Sequence, residues 1–260
     1  MSKFDIEQSA GAGTEDVPVT ENAPFLKILQ SGSAEIKKSH KDHSEKKIDG
    51  AKEGDIVFQK TGEVLTQPVV IQILDTRALW AEWRPKESGG GVVTHHTEAV
   101  QRHPELKRDG YKLFLGDNEL VETIYAYISF EHKGEQDRGL IAFTSTQLRK
   151  IRDRNKAMLS DNKKEIEKHR YTGKDGKPLK PVSFSIQYKL TSVAENNSKG
   201  DWMGWKIDYG KLLDPTKPKE EALLLDLKES YENVTLPQIA SPKSYVALTD
   251  EAVDDGGDPF

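Results

Sequence analysis

Apolar residues in this chain fall in short runs with a period of two, separated by polar and glycine-bearing breaks. "PVVIQILD" (68–75) is near-continuous and β-branched, the pattern of a strand buried on both faces. "ALWAEWRP" (78–85) reads as a paired strand ended by Pro85. "KESGGGVVTHH" (86–96) reads as a glycine-rich loop returning into an edge strand. In "VETIYAYISF" (121–130), Ile124, Ala126, Ile128 and Phe130 alternate with Thr123, Tyr125, Tyr127 and Ser129. "GLIAF" (139–143) is its expected hairpin partner across the turn "HKGEQDRG". "VSFSIQYKL" (182–190) alternates again, and "WMGWKIDY" (202–209) sets Met203, Trp205, Ile207 and Tyr209 against Trp202. Nearer the N-terminus, "PFLKILQ" (24–30) begins the ordered part. "KKSHKDHSEKK" (37–47) is a charged loop, and "AKEGDIVF" leads into a strand after Gly54.

Two segments switch to the helical period. In "FTSTQLRKIRDRNKAML" (143–159), Leu148, Ile151 and Met158 form an apolar stripe, and Arg149, Arg152 and Lys156 share another face. Thr144 and Gln147 have capping-box spacing. "PKEEALLLDLKESYEN" (218–233) places Pro218 and two acids in a first turn. Short strands with two late helices predict a mainly β, α+β protein: an OB-fold-like antiparallel barrel with helical decoration. The expected organisation is a mobile arm (1–23), one domain (24–235) and an acidic tail (236–260). No βαβ rhythm supports a Rossmann fold.

Composition narrows the chemistry. The chain has 260 residues, 35% hydrophobic and 31% charged, and no cysteine. Disulfides, thiolate metal sites and a Cys nucleophile are therefore excluded, and a reducing cytoplasm (that of the host, if the chain is phage-encoded) fits. No apolar run approaches the roughly 20 residues of a membrane span, and the polar N-terminus is not a signal peptide. No P-loop is present. "GGG" at 89–91 lacks the strand–helix context of a dinucleotide site. His40 with His43, and His95 with His96, lack the ligand company of a metal centre. "EWRPK" and "DWMGWK" are poor nuclease candidates, and no Ser/His/Asp set can be assembled. The expectation is a non-enzymatic protein without cofactor or metal.

The net charge of −5 conceals an asymmetry. Residues 146–180 carry twelve bases against five acids, a local +7, and residues 244–260 carry five acids and no base. A solvated helix face would account for the basic run alone; a polyanion site with the tail as a tethered mimic would account for the basic and acidic segments together. Single strands bind where a basic groove meets aromatic faces on which bases stack. The candidate phosphate contacts are Arg149, Lys150, Arg152, Arg154 and Lys156. If aliphatic faces fill the barrel, the outward rings are Trp80, Tyr125, Tyr127 and Trp202; partial core packing is the alternative for each.

The last seven residues, "DDGGDPF", resemble the C-terminal tip of bacterial single-stranded-DNA-binding proteins, in which acids precede a final Pro-Phe. Asp254, Asp255, Asp258, Pro259 and Phe260 match that tip, with two glycines interrupting its acid run. "PFLKILQSGSAEIK", "GAKEGDIVF", "ALWAEWRPKESGGGVV", "LIAFTSTQLRKIRDRN" and "DWMGWKID" together resemble a group of bacteriophage proteins taken to bind single-stranded DNA. The resemblance implies an OB-like barrel, no catalysis and a role in phage DNA replication or recombination. It also implies recruitment of replication or recombination proteins through the tail. A homo-oligomer is compatible with it. The alternatives are a strand-annealing recombination protein and a virion or scaffold protein.

Overall fold

The computed structural model describes residues 24–88, 90–159, 175, 181–198 and 200–232; the arm, the tail and most of the basic stretch after residue 159 lie outside them. Among the described residues the protein is mainly β and antiparallel, with few helices. Strands β1 (Leu26–Ile28), β2 (Ile56–Phe58) and β3 (Glu63–Leu65) form a small sheet in that order. An eight-stranded sheet contains β4 (Val69–Trp83), β5 (Val92–His96), β6 (Leu106–Asp109), β7 (Lys112–Leu115), β8 (Asn118–His132), β9 (Glu135–Thr144), β10 (Ile186–Asn197) and β11 (Gly200–Leu212). Its path runs β11-β10-β4-β8-β7-β6, with β5 added to β4 and β9 added to β8. Helix α1 (His43–Lys46) is one turn in the charged loop; α2 (Gln147–Leu159) and α3 (Pro218–Glu232) are the two expected helices.

The runs 68–75 and 78–85, expected as two paired strands, are one strand of 15 residues, and its partner is β8. The register slips between Ile73 and Asp75. This bulge re-aims the side chains: Ile71 and Ile73 enter the main core, whereas Leu74 joins the cluster under α3. β8 and β9 form a hairpin whose turn is two residues, Lys133 and Gly134, both at positive φ.

The strands do not close into a barrel. β4 and β8 make a ribbon too long for a tight cylinder, and each end of it takes a different neighbour: β10 and β9 at one end, β5 and β7 at the other. The core is closed instead by the small sheet laid against the large one. Leu26, Ile28, Ile56, Phe58 and Leu65 meet Ile71, Ile73, Ile128, Phe130, Ile186, Leu190 and Trp205. Phe58 and Phe130 meet edge to face at 5.0 Å. Full burial of rings of this size contributes about 1.5–3 kcal/mol each. A polar staple joins the sheets at one margin: His132 Nε2 bonds Glu63 Oε2 at 2.8 Å and His132 Nδ1 bonds Asp137 Oδ2 at 3.0 Å. Burial pushes the Asp137 carboxyl up, but hydrogen bonds from Lys60 and His132 outweigh it and hold it below its ordinary value.

The second face of the large sheet is covered too. Leu224 and Leu227 of α3 pack on Leu74, Val182, Phe184 and Leu213. Arg138 of β9 donates to Ser129 Oγ at 2.8 Å, to Ser230 Oγ and to Asp226 Oδ2 at 2.7 Å, which ties α3 to the hairpin. At the far end, Val100, Leu113 and Leu120 form a satellite core with Trp80, Leu106 and Leu115.

The capping box expected from Thr144 and Gln147 is not formed. Thr144 is the last residue of β9, paired with Thr123, and Gln147 is the first of α2. The Gln147 amide bonds elsewhere: Nε2 donates to Glu195 Oε2 at 2.8 Å, and Oε1 accepts from Trp205 N at 2.9 Å.

Candidate nucleic-acid interface

The outer edge of β11 is capped by side chains in place of another strand. Gln30 Nε2 donates to Met203 O at 2.8 Å, and Gln30 Oε1 accepts from Met203 N at 2.9 Å. Gln147 takes the Trp205 N–H, and Lys150 donates to the Trp205 carbonyl. The capped edge runs beside β1 and forms one wall of a cavity of about 580 Å³. Phe25, Trp83, Tyr125, Trp202, Met203 and Trp205 line it, with Lys27, Gln30, Gln59 and Gln147 as polar lining.

Glu195 organises this wall. Its Oε2 accepts from the Trp202 indole N–H at 2.9 Å and from Gln147, and its Oε1 accepts from Lys150. Burial raises the Glu195 carboxyl, but the bonds from Lys150, Gln147 and Trp202 outweigh it, and the carboxyl sits below its ordinary value. An ionised Glu195 therefore fixes the edge of the Trp202 ring. Gly204 makes room for the cluster: a Cβ there would lie on the Glu195 carboxylate and 2.8 Å from Gln147 Nε2.

Of the four expected rings, the structure brings Tyr125 and Trp202 into this cavity. Tyr125 does not point outward. It is 5% exposed, and its hydroxyl is bonded to His95 Nε2 at 2.6 Å. Burial pushes that hydroxyl up to about 12. Tyr127 packs between the clusters of Leu74 and Leu79, and burial pushes its hydroxyl up as well. The aromatic face of β8 is thus covered like its aliphatic face, because α3 packs on Tyr127 and Phe25, the residue before β1, packs on Tyr125. Trp80 lies apart, packed on Val100, Leu113 and Leu120. Sequence reasoning missed Phe25 and Trp83. In the strand alternation of "ALWAEWRP", Trp83 falls on the same face as Leu79 and Ala81. That face is the one Tyr125 shares, since Leu79 pairs Thr123 and Arg77 pairs Tyr125, and Trp83 at its end is 40% exposed.

The bases of α2 diverge. Arg149 is exposed, 3.5 Å from Asp153. Lys150 is held by Glu195, and Arg152 pairs with Glu122. Arg154 is 7% exposed, its guanidinium 4.8 Å from the centroid of the Tyr188 ring, so it faces the core and not solvent. Lys156 belongs to the helix but lies beyond its described side chains, and Asp254, Asp255, Asp258, Pro259 and Phe260 lie outside the described residues. Among the described residues no group of three or more His, Asp or Glu is arranged to hold a metal ion, and no helix is long and apolar enough to cross a membrane.

Fold and site together define an open, two-sheet β protein with an aromatic-walled cavity at a side-chain-capped sheet edge. The chain belongs to the family of Pam3 phage gp34-like proteins, whose model matches residues 2–237; the terminal acidic run lies beyond the match. No curated protein and no solved structure matches it.

Proposed function

We propose that this phage protein binds single-stranded DNA with little sequence preference, in the service of phage replication or recombination, and that bases enter the cavity beside β11. The observation that carries the reading is the convergence of Phe25, Trp83 and Trp202, from three distant parts of the chain, on one cavity. Every base has a π-face, so such a surface accepts any sequence, at about 1–3 kcal/mol per stacked base. Trp202 is oriented in advance by Glu195, which reduces the ordering that binding requires. Arg149 and Arg152 lie on the helix that begins at Gln147 on the cavity wall, and their surface pairs with Asp153 and Glu122 are weak enough for phosphate to exchange with them. The tail enters this proposal through its sequence alone: Asp254, Asp255, Asp258, Pro259 and Phe260 recruit replication or recombination proteins.

Alanine variants test the assignment. Trp83→Ala and Trp202→Ala should each weaken oligo-dT binding by about 1–3 kcal/mol. Tyr125→Ala should chiefly lower the melting temperature, since it removes a buried ring. Unchanged affinity in both tryptophan variants would remove the cavity from the site.

A further inference from the structure

The polar groups that line the β11 cavity are unequally committed. Lys27 is held by Glu35, and both polar atoms of the Gln30 amide are bonded to the Met203 backbone. The Gln147 amide is bonded to Glu195 and to Trp205 N, and the Tyr125 hydroxyl to His95. Each of these groups is already engaged within the protein. Two other polar side chains line the cavity and make no side-chain hydrogen bond among the described residues: the Gln59 amide and the Thr144 hydroxyl.

Gln59 stands where a stacked base would present its edge. Its backbone N–H donates to the Phe25 carbonyl at 2.9 Å, one step beyond the Leu26–Phe58 pair, so Phe25 and Gln59 lie opposite each other at the ends of β1 and β2. Opposite residues of an antiparallel pair project to the same side, with Cβ atoms about 4.5–5.5 Å apart. That places the Gln59 side chain beside the Phe25 ring, and it is exposed. A carboxamide carries an acceptor and a donor side by side, and a half-turn of its terminal torsion exchanges them. Every nucleobase has an adjacent donor and acceptor on the edge used for pairing: N6–H and N1 in adenine, N4–H and N3 in cytosine, N3–H and O4 in thymine, N1–H and O6 in guanine. One amide can match any of them, whereas a carboxylate only accepts and an ammonium only donates. In a duplex the complementary strand occupies those same edges. The half-buried Thr144 hydroxyl donates and accepts from one atom and cannot span the two groups.

We propose that Gln59 reads the pairing edge of the base that stacks in the cavity, accepting all four bases and rejecting those already paired. This rests on the single-strand reading above and names the residue by which that site tells a single strand from a duplex. Stacking supplies sequence-tolerant affinity, and the adjustable amide adds hydrogen bonds without giving up that tolerance.

The test is fluorescence anisotropy with full-length protein and labelled oligo-dT, oligo-dC, oligo-dA, a blunt duplex, and oligo-dT methylated at the thymine N3. The methyl group removes the N–H donor and leaves the phosphates and the ring in place. Gln59→Leu, whose side chain has no hydrogen-bonding atom, should weaken binding to all three homopolymers by about 2- to 13-fold for each hydrogen bond lost. Methylation at N3 should weaken the parent by a similar factor and leave Gln59→Leu unaffected. Gln59 is exposed and its bond to Phe25 is made by the backbone, so the melting temperature should stay near that of the parent. Parent-like binding of oligo-dT by Gln59→Leu overturns the assignment. So does a methylation penalty of equal size in both proteins, or an equal loss on the blunt duplex. A loss confined to one homopolymer overturns the acceptance of all bases. If Trp83→Ala and Trp202→Ala lose affinity while Gln59→Leu keeps it, the cavity stands without this contact. Failure of the parent to bind single strands overturns both readings.

Discussion

Gly204 shows how one missing side chain organises the cavity wall. It lets Glu195 and Gln147 lie flat against β11, where the carboxylate collects the Trp202 indole, the Gln147 amide and the Lys150 ammonium. Gly204→Ala should therefore cost about 1–3 kcal/mol, the usual penalty for overpacking, and should shift tryptophan emission as Trp202 loses its anchor. A melting curve and an emission spectrum that both match the parent would show that the cluster can move aside. Little of this was legible in the chain. "DWMGWK" displayed its aromatics, but the partner carboxylate is seven residues before Trp202 on another strand, and the amide is far earlier on a helix. The phase of Trp83 was legible; its meaning was not, because only the β4–β8 register shows that its face is also that of Tyr125.

At the scale of elements, periodicity located the strands well, and the two late helices appear close to their expected bounds. What it could not resolve was covering. Alternation in β8 separates two faces but does not say that both are buried, and both are, by the small sheet on one side and by α3 on the other. The same limit applies to α2, where charge counting treated all bases alike. Arg154 points at Tyr188 and Lys150 at Glu195, so the helix offers solvent fewer cations than its sequence holds. Arg154→Ala should thus lower stability by about 0.5–2 kcal/mol through the lost cation–π contact and leave the salt slope of DNA binding unchanged. Arg149→Glu with Arg152→Glu should reduce that slope by about 0.7 per contact. The reverse pattern, with Arg154 controlling the slope, would contradict this division of the helix.

On the scale of the whole molecule, the expected barrel is replaced by two sheets facing one core, and the consequence is an open edge with a cavity beside it. Closure was not readable from the chain, because it depends on the bulge near Leu74 and on the lengths of β4 and β8, which the sequence divides differently. The acidic tail belongs to this scale as well. Under the proposed reading its five carboxylates should compete with DNA for basic surfaces, at the roughly millimolar effective concentration typical of a flexible linker. Removing residues 244–260 should strengthen single-strand binding, more so at low salt. Removing Phe260 alone should leave DNA affinity intact and abolish capture of a partner from host extract. Equal partner recovery by both chains would reduce the tail to a solubilising end. The central claim meets its most direct test in the intrinsic fluorescence of the parent protein. Three of its four tryptophans, Trp83, Trp202 and Trp205, line the cavity. Titration with poly-dT should give a saturable quench that added salt reverses, whereas emission unchanged by poly-dT at low salt would contradict the account.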